Sequence, residues 1–194
     1  MTTKTIKTRT KSFGILMLFA AVFSMSYAIS EVAATTPNYH GHKWFWEETD
    51  YRYASFSGLN ISQTQAYGAL DAARTEISSA SDYHADKVSS GSTNWISLAN
   101  WADTNKYGQQ YPTHDWLNYL SGSDIELNSN INWSVGTSTT YPNMRAVAIH
   151  ELGHGVDLEH TGSSANSIMR TYYSYTHWQN LHADDEQKLV DIYG

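Results

Sequence analysis

The sequence predicts one domain of the α+β class. Segments with the two-residue alternation of β-strands and segments with the spacing of α-helices both occur, and no internal repeat or second domain is recognisable. The chain has 194 residues, which is enough for a single sizeable hydrophobic core.

The first predicted elements are a strand, a helix and a second strand. Residues 49–56 alternate and are rich in aromatic side chains, as β-strands often are. Residues 62–80 are predicted to form a long helix, because apolar residues recur there at helical spacing. The buried face of this helix is predicted to consist of Ile61, Ala66, Ala69, Leu70, Ala73, Ile77 and Ala80. Residues 94–100 are predicted to form the second strand.

The middle of the chain is predicted to be mainly loop. Residues 101–122 contain glycine, proline and polar residues without a period, which is typical of a long surface loop. Residues 124–128 alternate as a half-buried strand, and residues 131–135 are a candidate for a further strand at the sheet edge.

Two helices are predicted in the last third of the chain. Pro142 suits the opening turn of the first of them. The buried stripe of that helix is predicted to consist of Met144, Val147, Ala148 and Leu152. The last helix is predicted to begin at a cluster of acidic residues, because a helix N-terminus favours negative charge. These residues are Asp184, Asp185 and Glu186.

The N-terminus has the pattern of a secretory signal peptide. Its basic residues are Lys4, Lys7, Arg9 and Lys11. An apolar run over residues 13–23 follows and is short for a bilayer span. Ser26 and Ala28 are small residues at the two positions that signal peptidase reads. The alternative is an uncleaved membrane anchor, which the shortness of the run disfavours.

These features divide the chain into three parts. We expect a signal peptide over residues 1–28, cleaved after Ala28, a short segment over residues 29–43, and the folded domain over residues 44–194. The mature protein is then secreted and extracellular. The net charge of −7 becomes more negative once the basic leader is removed, which argues against nucleic acid or a membrane surface as a partner.

The run from His150 to His160 is the strongest sign of chemistry in the chain. His150 and His154 are four residues apart, so on a helix both imidazoles lie on one face and can reach one metal ion. Glu151 projects beside such an ion, where a carboxylate can take a proton from water. His160 can join if the chain turns sharply after His154. Three histidines with an open fourth position are typical of a catalytic zinc site.

This run resembles the signature of the metzincin metallopeptidases, HExxHxxGxxH followed by a methionine-containing turn. Met169 follows His160 after a short loop, and this spacing is similar to that of the matrixins, the matrix metalloproteinases and their bacterial relatives. Tyr173 stands four residues after Met169, where matrixins place a pocket tyrosine. Residues 181–194 are similar to the matrixin closing helix.

The resemblance implies a zincin-like fold, with a twisted mixed sheet, about three helices, an active-site helix and a Met-turn. It implies that Met169 forms an apolar floor beneath the metal and that Tyr173 lies in the wall of the substrate pocket. It also implies one catalytic zinc ion, while the acidic balance leaves a calcium ion open. Cysteine is absent, so we expect no propeptide cysteine on the zinc and secretion in an active or nearly active form.

The chain departs from the family pattern at Asp157, where the signature has glycine. That glycine ends the helix in a left-handed conformation, which aspartate tolerates better than most other residues. We therefore expect a slightly strained turn in which Asp157→Gly is neutral or slightly stabilising. A ligand role for Asp157 is the disfavoured alternative, because it lies three residues before the third-ligand position.

The pattern as a whole predicts a secreted zinc-dependent endopeptidase. Zinc-activated water attacks a peptide carbonyl, and Glu151 is the general base. The expected partners are protein or peptide substrates, and we expect a monomer. One alternative is a catalytically weak secreted binding module that keeps the zinc-bound fold, which the presence of all three ligands and the base disfavours. A second is a zinc hydrolase of a non-peptide substrate, which the methionine turn disfavours.

The remaining histidines show no paired ligand spacing and are predicted to be surface or loop residues. They are His40, His42, His84, His114, His177 and His182.

Overall fold

A computed structural model describes residue 37 and residues 39–162, 166–173 and 179–194, and it has the predicted α+β class. The strands in these residues are β1 (Glu48–Tyr53), β2 (His84–Lys87), β3 (Trp95–Ala99), β4 (Gly108–His114) and β5 (Leu120–Asn128). The helices are α1 (Gln63–Ser79), α2 (Met144–Gly155) and α3 (Ala183–Tyr193). The predicted signal peptide and His177 lie outside the described residues.

The five strands form one mixed sheet in the order β2-β1-β3-β5-β4. Neighbouring strands are parallel except at one edge, where β4 runs antiparallel to β5. α1 packs against α2 and β2, and α2 also packs against β4 and β5. The core lies between the sheet and these two helices. Its fully buried side chains include Tyr51, Ile96, Ile125 and Leu127 from the sheet and Leu70, Ile77, Ile149 and Leu152 from the helices.

α1 confirms the predicted long helix, and its start has a local cause. The hydroxyl oxygen of Ser62 accepts a hydrogen bond from the backbone N–H of Gln65 at 3.2 Å. The side-chain oxygen of Gln65 in turn accepts one from the backbone N–H of Ser62 at 2.9 Å. This reciprocal capping box satisfies two donors that the first helical turn leaves unpaired.

The predicted loop over residues 101–122 is wrong, because β4 and the start of β5 lie within it. β4 is an edge strand whose second half, from Tyr111 to His114, is exposed. Such a strand needs no apolar face and can contain Pro112, since the missing N–H only has to lie on the unpaired side. The polar composition that suggested a loop therefore belongs to the edge of the sheet.

Two smaller differences concern short segments. The candidate strand at residues 131–135 is not formed, and Ser134 makes only an isolated bridge with Asn143. The apolar signal there comes from Trp133, which is buried and anchors a loop by donating its indole N–H to the Asn128 carbonyl at 2.9 Å. The sequence reasoning also missed β2, which has four residues and one buried side chain. Within the described residues, no helix is both long and apolar enough to span a membrane.

Candidate active site

α2 is held in the interior and carries three of the predicted site residues. Its N-cap is Asn143, whose side-chain oxygen accepts a hydrogen bond from the Ala146 N–H at 3.0 Å. Nine of its residues are buried, including the predicted Met144, Val147, Ala148 and Leu152. The buried residues therefore hold the helix in the core and fix the positions of His150, Glu151 and His154.

The turn that follows α2 brings the third histidine back. Asp157 has a φ of 73°, so the predicted left-handed conformation is confirmed. The Leu158 N–H donates to the Gly153 carbonyl at 2.9 Å, which closes the end of the helix. Beyond His160, the Thr161 N–H donates to the Met169 carbonyl at 2.7 Å. The sharp reversal after His154 is thus fixed at both ends.

The three Nε2 atoms of His150, His154 and His160 converge. Their separations are 3.1 Å for His150 and His154, 3.2 Å for His150 and His160, and 3.1 Å for His154 and His160. A tetrahedral zinc ion with Zn–N bonds of about 2.0–2.1 Å requires nitrogen separations near 3.3 Å. The three imidazoles therefore fit one zinc ion. In the described residues they are the one group of at least three His, Cys, Asp or Glu side chains close enough to share an ion.

Hydrogen bonds at the Nδ1 atoms of His150 and His154 orient the Nε2 atoms on the opposite side of each ring. Nδ1 of His150 lies 2.8 Å from the Ile168 carbonyl oxygen, and Nδ1 of His154 lies 2.7 Å from the Leu158 carbonyl oxygen. A carbonyl can only accept, so each Nδ1 carries the proton and each Nε2 offers its lone pair. This is the tautomer that a metal ligand needs.

Burial also favours the neutral imidazoles. It lowers the pKa of His150 to about 4 and that of His154 to about 3, and the neighbouring histidines add to both shifts. Desolvation lowers the pKa of His160 as well. At neutral pH, protons therefore do not compete for the three nitrogens.

Glu151 is next to the histidines and almost completely buried, with 6% of its surface exposed. Desolvation raises the pKa of its carboxyl group to about 8, against smaller opposing effects from the Gln110 backbone N–H and the Lys106 charge. Gly108 of β4 leaves room for the carboxylate, since a Cβ atom there would stand 2.6 Å from Glu151 Oε1. The strand that the sequence reasoning missed thus forms the wall around this group.

The pKa of Glu151 has a measurable consequence for the metal-free protein. Between the ordinary pKa of 4.5 and about 8, the folded state keeps a proton that the unfolded state has lost. The metal-free folded state therefore loses stability as the pH rises through this window. Glu151→Gln removes the titration. We expect its thermal midpoint in excess chelator to exceed that of the parent by a few degrees at about pH 8 and by little at about pH 5.

The parent and Glu151→Gln are compared at each pH, so that the effects of all other titrating groups on the thermal midpoint cancel. Thermal unfolding followed by circular dichroism in chelator is sufficient. A difference in midpoint that stays constant from about pH 5 to about pH 8 would show that Glu151 ionises normally in the folded chain.

The predicted methionine packs against α2. Met169 is fully buried, and a Cβ atom at Gly153 would collide with its sulfur atom, so glycine permits this close packing on α2. Asp185 holds the two residues before Met169 in place. It accepts hydrogen bonds from the Ser167 hydroxyl at 2.5 Å and the Ile168 N–H at 2.9 Å. The carbonyl of the same Ile168 is the hydrogen-bond partner of His150 Nδ1. Asp185, in the first turn of α3, is therefore connected to the His150 ring through Ile168.

Asp157 also fastens the N-terminal segment to the turn. Its carboxylate accepts a hydrogen bond from the His42 N–H at 2.7 Å, and its carbonyl accepts one from the His40 N–H at 3.3 Å. Trp44 donates its indole N–H to the Gly155 carbonyl at 2.8 Å. The side chain that replaces the expected glycine thus binds His42, while the backbone carbonyls of Asp157 and Gly155 bind His40 and Trp44. Asp157 is not part of the three-histidine group.

These contacts reverse the effect expected for Asp157→Gly. Glycine would relieve about 1 kcal/mol of backbone strain, but a hydrogen bond to a charged acceptor, such as the partly buried one from His42, contributes about 1.5–3 kcal/mol. We expect Asp157→Gly to destabilise the protein by about 1 kcal/mol, and Asp157→Val to do so more strongly because valine adopts positive φ poorly. Asp157→Asn, which keeps an acceptor and tolerates the turn, should be the mildest change.

Thermal midpoints and chelator sensitivity of the three variants check this order. If the glycine variant equals or exceeds the parent in stability, the contact with His42 contributes nothing. If valine is tolerated as well as glycine, the backbone conformation at residue 157 does not matter.

A cleft of about 1160 Å³ contains the three histidines and Glu151. Tyr173 lines it as expected, and its hydroxyl oxygen accepts a hydrogen bond from the Asn143 N–H at 2.8 Å. Its ring lies edge-on to Tyr107 at 5.5 Å. Three of the remaining histidines, His40, His42 and His114, also line the cleft, and the ring centroids of His42 and His114 are 4.4 Å apart.

The other described histidines do not join the three-histidine group. His40 is exposed beside Glu159 at 3.3 Å, and His84 is exposed on β2. His182 precedes α3, where its backbone N–H donates to Asp185 at 2.9 Å. Sequence reasoning could not find the proximity of His42 and His114, since they are far apart in the chain and no spacing rule links them.

Comparison with known proteins identifies similar sequences. Residues 102–194 match the matrixin family model. Human matrix metalloproteinase-26 is 35% identical over 71 residues, which are 36% of this chain and 26% of that protein. Rat matrix metalloproteinase-16 is 37% identical over 76 residues, 38% of this chain and 12% of that protein. Rat stromelysin-3 is 30% identical over 71 residues, 37% of this chain and 14% of that protein. The chain thus spans about a quarter or less of these relatives.

Proposed function

This chain is a matrixin-like metzincin, and on that premise we propose that it is a secreted zinc-dependent endopeptidase. The observation that carries the proposal is the convergence of three neutral histidine nitrogens within 3.2 Å of one another, directly beside a buried carboxyl group. Structural zinc sites usually take four protein ligands, whereas three ligands leave a position for water or substrate.

His150, His154 and His160 would hold the zinc ion through their Nε2 atoms. When bound, zinc supplies an activated water and a Lewis acid for the substrate carbonyl. Met169 would form the apolar floor of the site, and the Ile168 and Leu158 carbonyls would keep two of the rings in their ligating orientation.

Glu151 would act as the general base and then as an acid. A nearby cation stabilises the carboxylate, so its pKa falls from the raised value of the metal-free site towards the working pH. The carboxylate accepts the proton of the attacking water and delivers it to the leaving amine. The burial of Glu151 limits its contact with bulk water, and the Gln110 N–H keeps the side chain in place.

The substrate would lie along β4. This strand is at the sheet edge, and the cleft runs beside residues 105–110, 112 and 114. An extended peptide can pair with such an edge through backbone hydrogen bonds, whatever its side chains. Tyr173 would form part of the wall of the pocket for the side chain that follows the scissile bond.

Digestion of labelled casein tests the proposal. The mature chain loaded with zinc should cleave casein, a chelator should stop the cleavage, and added zinc should restore it. A chain that binds zinc but releases no fragments is instead the binding module considered above. Cleavage that persists in excess chelator would contradict a zinc-dependent mechanism.

Secretion can be tested separately. We propose that the leader is removed after Ala28, on the basis of its basic start, its apolar run and the small residues Ser26 and Ala28. Expression with the leader should give a protein in the medium whose N-terminal residue is Ile29. A cell-bound protein that keeps Met1 would show that the leader acts as an anchor.

A further inference from the structure

An exposed aromatic surface lies beside the hairpin that joins β4 to β5. It consists of Phe45, Trp46, Trp116, Leu117 and Tyr119. Phe45, Trp46, Trp116 and Leu117 are 55%, 77%, 89% and 53% exposed. The Phe45 ring lies edge-on to Trp46 at 4.7 Å and to Tyr119 at 5.2 Å. Exposed apolar side chains grouped in this way are typical of binding surfaces.

Hydrogen bonds fix the shape of the aromatic surface. The Asp115 carboxylate accepts from the N–H groups of Leu117 and Tyr119 at 2.9 Å each. The Leu120 N–H donates to the Lys43 carbonyl at 3.1 Å, which joins the hairpin to the segment that carries Phe45 and Trp46. A partner would therefore meet a preformed surface, and little conformational entropy would be lost on binding.

The aromatic surface continues from the active-site cleft. His114 lines the cleft, ends β4 and directly precedes the hairpin. Gly108, at the other end of β4, lies against Glu151. β4 has seven residues from Gly108 to His114, so a peptide paired with it would advance six residue steps, or about 20 Å at about 3.3 Å per step. The same peptide would then reach the aromatic surface about six residues from the bond that is cut.

The charges around the aromatic surface indicate an uncharged partner. Lys43 and Glu47, which flank Phe45 and Trp46, pair with each other at 3.3 Å. The chain as a whole has a net charge of −7, which opposes binding to an anionic membrane. An apolar polypeptide segment that continues from the cleft meets both conditions.

We propose that the aromatic surface is an accessory substrate-binding surface that takes an apolar, leucine- or aromatic-rich segment of a protein substrate, about six residues from the scissile bond. The proposal rests on the endopeptidase function proposed above. It identifies the preferred substrates as flexible polypeptides with an apolar cluster at that distance from the cut.

Matched peptides built around one casein peptide bond provide the test, and a bond that the protein cuts is used where casein is cleaved. Two long peptides extend about eight residues to each side of the bond, so that they reach the surface from either direction. One has leucine and tryptophan in the extensions, and the other has serine. The parent should cleave the apolar peptide with about tenfold higher kcat/KM than the serine peptide, mainly through a lower KM. This is the size of effect expected when two exposed tryptophans of the protein contact the apolar extension.

The variant Trp46→Ser/Trp116→Ser should lose this preference. Tyr141→Ser is the matched control, because Tyr141 is also a partly exposed aromatic residue, at 42%, but does not line the cleft. It should keep the preference. A parent without the preference, or a double variant that retains it, would overturn the proposal.

Two further measurements test whether the aromatic surface binds peptide without hydrolysis and whether it binds a lipid surface or a polysaccharide instead. Fluorescence anisotropy of the labelled long peptides with zinc-loaded Glu151→Gln protein measures binding without hydrolysis. Tighter binding of the apolar peptide that depends on Trp46 and Trp116 supports the surface even if the protein cuts nothing. Sedimentation with phosphatidylcholine vesicles or cellulose tests the other occupants. Binding to either that requires both tryptophans, without any peptide preference, would refute the substrate role.

Discussion

Glu151→Gln should bind zinc as the parent does but lose at least ~100-fold in turnover. Glutamine has the shape of glutamate and cannot accept the proton of the attacking water. The site tolerates it, because Glu151 is buried against Gly108 and its pKa of about 8 shows that burial already favours an uncharged side chain. The loss should therefore appear in kcat rather than in zinc content.

Peptide hydrolysis and elemental analysis on the same samples measure both quantities. Glu48→Gln is the matched control, since Glu48 is exposed at the start of β1 and away from the cleft. Its turnover and zinc content should equal those of the parent. Undiminished turnover of Glu151→Gln at full zinc occupancy would show that another group is the base.

His154→Ala should weaken zinc binding by at least about 100-fold, so that most of the protein is metal-free after dialysis. The substitution removes one of three converging nitrogens and leaves the Leu158 carbonyl without its partner. His150 and His160 alone form an incomplete ligand set. Activity should fall in proportion to the zinc content.

His84→Ala is the corresponding control, because His84 is exposed on β2 and outside the three-histidine group. It should retain one zinc ion per chain. Full zinc occupancy in His154→Ala would show that the ligand set is not His150, His154 and His160, even if casein cleavage still required a metal.

Much of the candidate site can be predicted from local spacing. The separation of His150 and His154 determines that they share a helical face, since the α-helix has a fixed pitch. The left-handed turn at Asp157 was also predictable, because the resemblance to the metzincin signature places a helix-ending glycine at this position. Local spacing and the family resemblance therefore indicate the three-histidine group before any tertiary contact is known.

Other parts of the site depend on residues that are distant in sequence. The conformation of Asp157 follows from its position, but its contribution to stability depends on His42, 115 residues away. That contact is why the expected effect of Asp157→Gly changes from neutral or slightly stabilising to destabilising. Asp185 was predicted to favour the helix dipole. In the structure it also holds Ser167 and Ile168, and through the latter the ring of His150.

The sequence by itself determined the class of the fold, the long helix α1 and the helix that carries His150, Glu151 and His154, because each depends on the periodicity or chemistry of adjacent residues. Only the tertiary structure decided that Gly108–His114 is an edge strand beside Glu151, that His160 joins His150 and His154, and that residues 40–44 bind the turn at Asp157. An edge strand is defined by its neighbour and not by its own apolar pattern, and a buried hydrogen bond is defined by both of its partners. Neither can be read from a single stretch of chain.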